Sequence, residues 1–143
     1  MMIIIDATNL IAGRLATTAA KQALLLEEVS IINAEKAVIS GDKTFVFARY
    51  RQRVDRGVHA KGPFIPRMPD RFLRRIIRGM LPMANTRGRE AYKRILCYIG
   101  TPEEFKGKET FKVIGADANK LPTVKKVTVG EICKFLGAKW NEY

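Results

Sequence analysis

The sequence predicts an α/β fold with a parallel sheet, in a single domain over residues 1–143, and three observations carry that expectation. Two apolar, β-branched runs, Met2–Ile5 and Val29–Asn33, flank a helical pattern within about thirty residues, the spacing of a βαβ unit, whose crossover is right-handed. A third apolar run follows at Ile95–Ile99. The chain has 143 residues, of which 47% are hydrophobic, enough to bury one core.

The elements follow in order. Met2–Ile5 reads as a buried strand ending at Asp6. Asp6 to Asn9 offers capping side chains, and Ile11–Leu26 reads as a helix with Ile11, Leu15, Ala19, Ala20, Ala23 and Leu24 on its packed face, closed by Glu27 and Glu28. Val29–Asn33 is the second strand, and Ser40-Gly41 breaks the chain. Asp42–Val54 reads as a helix that docks through Val46, Tyr50 and Val54 and carries Arg49, Arg53 and Arg56 on an adjacent side. Gly57–Pro69, with five Gly or Pro residues, is a projecting basic loop expected to order against its partner.

From Asp70 to Met80 the pattern is two-faced. At 100° per residue, Arg71, Arg74, Arg75 and Arg78 fall within about a 100° arc, opposite Phe72, Leu73, Ile76, Ile77 and Met80. Gly79 and Pro82 end this helix, and Thr86–Arg94 is a short basic segment. Ile95–Ile99 is the third strand, Phe111–Ile114 a weaker one, and Gly115–Lys126 reads as loop. Thr128 and Glu131 fit a capping box opening a last helix through Ile132, Phe135 and Leu136, with Gly137 at its end.

Charge is unevenly placed. The formal net charge is +12 and the pI about 10.1. Residues 1–48 hold four bases against five acids, a net −1; residues 49–94 hold fourteen against three, a net +11; residues 95–143 hold eight against six, a net +2. Of thirteen arginines only Arg14 lies outside the middle segment. Arginine engages phosphate bidentately and stacks on bases, and three acids cannot pair fourteen bases, so residues 49–94 are the expected nucleic-acid contact region. The residues expected to touch RNA are Arg49, Arg53, Arg56, His59, Lys61, Arg67, Arg71, Arg74, Arg75, Arg78, Arg87, Arg89, Lys93 and Arg94.

Other chemistry finds little support. No phosphate-loop or dinucleotide fingerprint occurs, and His59 has no visible orienting partner. Asp6, at the carboxyl end of the first strand, is the most enzyme-like position and could join Asn9 or Asp42 in a metal site for phosphodiester cleavage; a turn or capping role is the preferred reading. Cys97 and Cys133 lie in apolar surroundings and read as buried thiols, with only His59 to supplement them as zinc ligands. Trp140 and Tyr143 read as pinning the C-terminus to the core, with base stacking as the alternative. No apolar run is long enough to span a membrane and Met1–Ile5 is too short for a signal sequence, so an intracellular protein without cofactor, metal or small-molecule substrate is expected. A membrane-surface role would need an apolar helix face that here is committed to the core.

The chain resembles the large-subunit ribosomal protein family numbered thirteen in the universal scheme. The matching stretches are Gly13-Arg14-Leu15-Ala16, Asn33-Ala34-Glu35, Ser40-Gly41-Asp42-Lys43, Gly62-Pro63-Phe64 and, most specific, Arg78-Gly79-Met80-Leu81-Pro82. Arg87-Gly88-Arg89-Glu90-Ala91-Tyr92-Lys93-Arg94 looks like the archaeal and eukaryotic branch, and the short C-terminus looks archaeal. The resemblance implies a three-layer α/β/α fold with a four-stranded parallel sheet. It also implies a structural role on large-subunit rRNA beside neighbouring ribosomal proteins, early entry into subunit assembly, and no enzymatic activity.

Overall fold

The computed structural model describes residues 1–141. Three strands form a parallel sheet in the order β1 (Met2–Asp6), β2 (Glu28–Ile32), β4 (Ile95–Cys97). Met2 is opposite Glu28 in the first pair and Val29 opposite Ile95 in the second. The central strand β2 is buried from Val29 to Ile32, Ser30 included, as befits a mainly apolar strand covered on both faces. Helix α1 (Ala12–Leu24) makes the first crossover and buries Leu15 and five alanines. Small side chains let it lie close to the sheet.

Two strands were not anticipated. β3 (Val38–Ser40) pairs antiparallel with β5 (Lys126–Thr128), Ile39 opposite Val127, in a separate two-stranded sheet. The Ser40-Gly41 break and the loop-like run before Lys126 are therefore the outer ends of paired strands. Conversely, Phe111–Ile114 is not a strand: its one main-chain tie to the sheet is the Phe111 N–H donating to the Ile4 carbonyl at 2.6 Å. One hydrogen bond does not make a ladder, so the expected four-stranded parallel sheet is a three-stranded one with an extended segment along its β1 edge.

Helices α2 (Lys43–Asp55), α3 (Pro69–Arg78), α4 (Thr86–Lys93) and α5 (Val129–Phe135) complete the chain. The buried side chains of all five helices join one cluster with Ile5, Val29, Ile31 and Ile95. On the opposite sheet face Ile4 and Ile32 pack with Phe105 and Tyr98, from the connection after β4. Among the described residues no α-helix reaches that second cluster, so the expected outer helical layer is replaced there by irregular chain and a single 3-10 turn, Glu103–Phe105. The capping box forms as expected: the Glu131 N–H donates to the Thr128 hydroxyl oxygen at 3.2 Å and the Thr128 N–H to Glu131 Oε2 at 3.1 Å. Gly137 follows with a left-handed φ of 98°.

Candidate RNA interface

Helix α3 starts with Pro69 at its first turn and Asp70 beside it, both suited to a helix N-terminus. Phe72, Leu73 and Ile77 are buried and Ile76 is half-buried. Met80, expected on this face, is exposed beyond the helix end. On the far side Arg71 and Arg75 are exposed and Arg78 is half-buried. Among the described residues the side chains of these three arginines form no hydrogen bond or ion pair within the chain, nor do those of Arg49, Arg56, Arg67, His59, Lys61 and Lys93.

Arg74 departs from the stripe. It is half-buried, its guanidinium lies 4.3 Å from the centre of the Tyr92 ring, and Nη2 donates to the Tyr92 carbonyl at 3.2 Å. Sitting at one edge of the arginine arc, it turns toward α4 and braces that helix.

Helix α2 docks through Val46, with Phe47 stacked on Phe135 at 4.4 Å and Tyr50 against Phe72 at 4.9 Å. The adjacent side of α2 carries Arg49 and Arg53, which line a groove of about 880 Å³ together with Arg75 and Arg78 of α3. Arg53 stands over the Tyr50 ring, 5.2 Å from its centre. Burial pushes the Tyr50 phenol up, against the opposing pull of Arg53 and Arg49. A second cleft, of about 550 Å³, gathers Arg56, His59 and Arg67 around the Phe64 ring, which is 76% exposed. It sits in the α2–α3 loop, where Val58 and Gly62 exchange main-chain hydrogen bonds. Charge spacing alone also missed Arg51, which lines this cleft while paired to Asp55 at 3.2 Å, and Tyr50, whose position four residues after Val46 gave only a docking role.

In the α4 segment the arginines bond to carbonyls of the chain, Arg87 and Arg89 from exposed positions and Arg94 half-buried. Arg87 donates to the Leu24 carbonyl at 3.3 Å and Arg94 to the Ala23 carbonyl at 3.4 Å, at the end of α1. A helix C-terminus leaves its last carbonyls without helical donors and carries partial negative charge, so two guanidiniums there cap it. Arg89 donates to the carbonyls of Met83 and Ala84 at 3.1 and 2.9 Å, closing the α3–α4 turn. Lys93 is exposed.

Asp6 is spent on local structure. Its Oδ1 accepts from the Thr8 N–H, the Thr8 hydroxyl and the Asn33 side chain, at 3.0, 2.7 and 3.0 Å. Burial pushes its carboxyl up, and these hydrogen bonds together with the charge of Lys36 outweigh that and hold it below its usual value. The expected cap on α1 does not form: Ile11 occupies that position. Asn9 binds Asp117 and Lys126, and Asp42 faces Lys125 at 3.9 Å. No group of three or more His, Cys, Asp or Glu residues able to hold a metal ion occurs among the described residues. Cys133 is buried and Cys97 half-buried, both as free thiols, and burial pushes each thiol up to about 12. Trp140 packs against the main core, whereas Tyr143 lies outside the described residues. No described helix is long and apolar enough to cross a membrane.

Comparison with known proteins supplies what geometry does not. The family model for ribosomal protein L13 matches residues 1–104. A large ribosomal subunit protein uL13 of Archaeoglobus fulgidus is 47% identical over 94% of this chain and 86% of its own length. Proteins of the same name from Methanococcoides burtonii and Methanosarcina barkeri are each 46% identical, over 97% of this chain and their full lengths.

Proposed function

The chain belongs to the ribosomal protein L13 family, archaeal type, and from that premise we propose that it is a structural constituent of the large ribosomal subunit. It acts in the cytoplasm within the ribosome, binding large-subunit rRNA beside neighbouring ribosomal proteins and entering early in subunit assembly. The observation that carries the mode of binding is the set Arg49, Arg56, Arg67, Arg71, Arg75 and Arg78 on α2, the α2–α3 loop and α3, none of which pairs with an acid among the described residues, unlike Arg51 with Asp55, and which stand on a nearly neutral scaffold. Their forked donors suit phosphates and 2′-hydroxyls, the features that paired RNA presents, more than base edges.

A catalytic reading through Asp6 has less support, since Asp6, Asn9 and Asp42 are each engaged with different partners. Sedimentation of cell lysate on a sucrose gradient, followed by crosslink mapping onto rRNA, tests the proposal. Co-migration with the large subunit and crosslinks from residues 49–94 are expected. A chain that stays at the top of the gradient overturns it. Metal-dependent RNA cleavage lost in Asp6→Ala would favour the enzyme instead.

A further inference from the structure

The groove between α2 and α3 has two features that a phosphate-binding stripe does not need. Its floor is apolar, built from Ile39, Tyr50 and Ile76, with the Arg53 guanidinium stacked on the tyrosine ring. Its wall includes Gly13, in the first turn of α1.

Gly13 has no internal justification. It is helical, its φ is not left-handed, and a Cβ built on it meets nothing within 4 Å. Glycine inside a helix is destabilising relative to alanine, and its usual benefits are unusual dihedrals or close approach of another body to the backbone. The first is absent here and none of the described residues supplies the second, which leaves an external body entering the groove.

The rim defines that body. Arg49, Arg53, Arg75 and Arg78 face the groove and no acid lines it among the described residues. The occupant is therefore anionic at intervals and flat and apolar between them. Paired RNA fits the rim but not the floor, because A-form helices keep their bases stacked within. An unpaired strand offers both, its phosphates to guanidiniums and its bases to ring faces.

We infer that the α2–α3 groove seats an unpaired RNA segment, with a base against Ile76 and the Arg53 guanidinium that stands over the Tyr50 ring, and the strand passing close over Gly13. This rests on the RNA-binding reading above and specifies a structural class of RNA for one part of the surface.

Fluorescence anisotropy tests it with two probes, a labelled single-stranded oligouridylate of about ten nucleotides and a labelled blunt-ended RNA duplex. Gly13→Phe fills the groove from its open wall. It is expected to weaken oligouridylate binding about tenfold or more and to leave duplex binding within about twofold. Gly13→Ala is expected to raise Tm while weakening the oligouridylate to a smaller extent. Equal oligouridylate affinity in Gly13→Phe, parallel loss of both probes, or a lower Tm in Gly13→Ala overturns the groove assignment. A wild-type chain that binds neither probe overturns the RNA-binding reading itself.

Discussion

Arg74 lies 4.3 Å from the centre of the Tyr92 ring and donates to the carbonyl oxygen of the same residue, so a single guanidinium grips both the side chain and the backbone of α4. A half-buried cation on an aromatic face contributes about 1 kcal/mol, and a charged hydrogen bond about as much again. Arg74→Ala is expected to lower stability by ~2 kcal/mol in urea melts monitored at Trp140. Its effect on the salt dependence of rRNA binding should be smaller than that of the other α3 arginines. Unchanged stability with a strongly reduced salt slope would return Arg74 to the RNA-facing set.

Arg71, Arg75 and Arg78 should behave in the opposite way. Each has no partner within the described chain, so its removal costs little stability, within about 0.5 kcal/mol. If each neutralises one phosphate, each alanine variant reduces the slope of log K against log salt by roughly 0.7–0.9. Filter binding to large-subunit rRNA at several salt concentrations checks this, and a slope identical to wild type excludes the residue from the contact.

The contrast between these arginines marks where the sequence is legible. The two-faced pattern of α3 is local and is written in a 3.6-residue period, so the burial of Phe72, Leu73 and Ile77 follows from the sequence alone. The apolar runs of β1, β2 and β4 and the Thr128–Glu131 box are equally local. What decides Arg74 is a contact with Tyr92, eighteen residues away, and no helical projection contains it. The pairing of Val38 with Thr128 is also non-local, and β3 and β5 lack the longer apolar run, Ile95–Ile99, that marks the equally short β4. Phe111–Ile114 failed in the other direction: its residues favour a strand, but its main chain makes only one bond to β1. The clefts and their separate arginine sets are tertiary features and follow only from the packing of α2 on α3.

Gly88 tests the α3–α4 turn. A Cβ at this position would stand 2.1 Å from the Pro82 carbonyl oxygen, a backbone atom that cannot swing away. Gly88→Ala therefore has to push α4 off the turn. A loss of about 2–3 kcal/mol is expected by thermal or urea denaturation, despite the better helix propensity of alanine. A variant as stable as wild type would show that α4 can shift freely.

Acid stability should trace to two carboxylates. For Asp6 burial acts upward, and its hydrogen bonds and Lys36 prevail; for Glu131 the main-chain hydrogen bond at Thr128 is the leading cause, and the net result is again a lowered value. A carboxyl lowered in the folded state binds its proton more readily when unfolded. Its contribution is then complete above the unfolded values near 3.8 and 4.5, and is lost as pH falls through the lower folded values. Melting temperature should accordingly drop below pH 4.5 more steeply in the wild type than in the double variant Asp6→Asn, Glu131→Gln. Parallel curves would assign the acid sensitivity elsewhere.

Because Arg87, Arg89 and Arg94 bond to carbonyl oxygens of the chain, arginine is harder to replace in one part of the molecule than in another. Lysine keeps the charge but has a single compact ammonium, so it can still meet a phosphate yet cannot span Met83 and Ala84 as the Arg89 fork does. Replacing the middle-segment arginines with lysine one at a time would therefore divide them by melting temperature. The outward ones would drift little, and those that hold backbone would fall away as a group, revealing how much of the basic character belongs to the architecture rather than to the ligand.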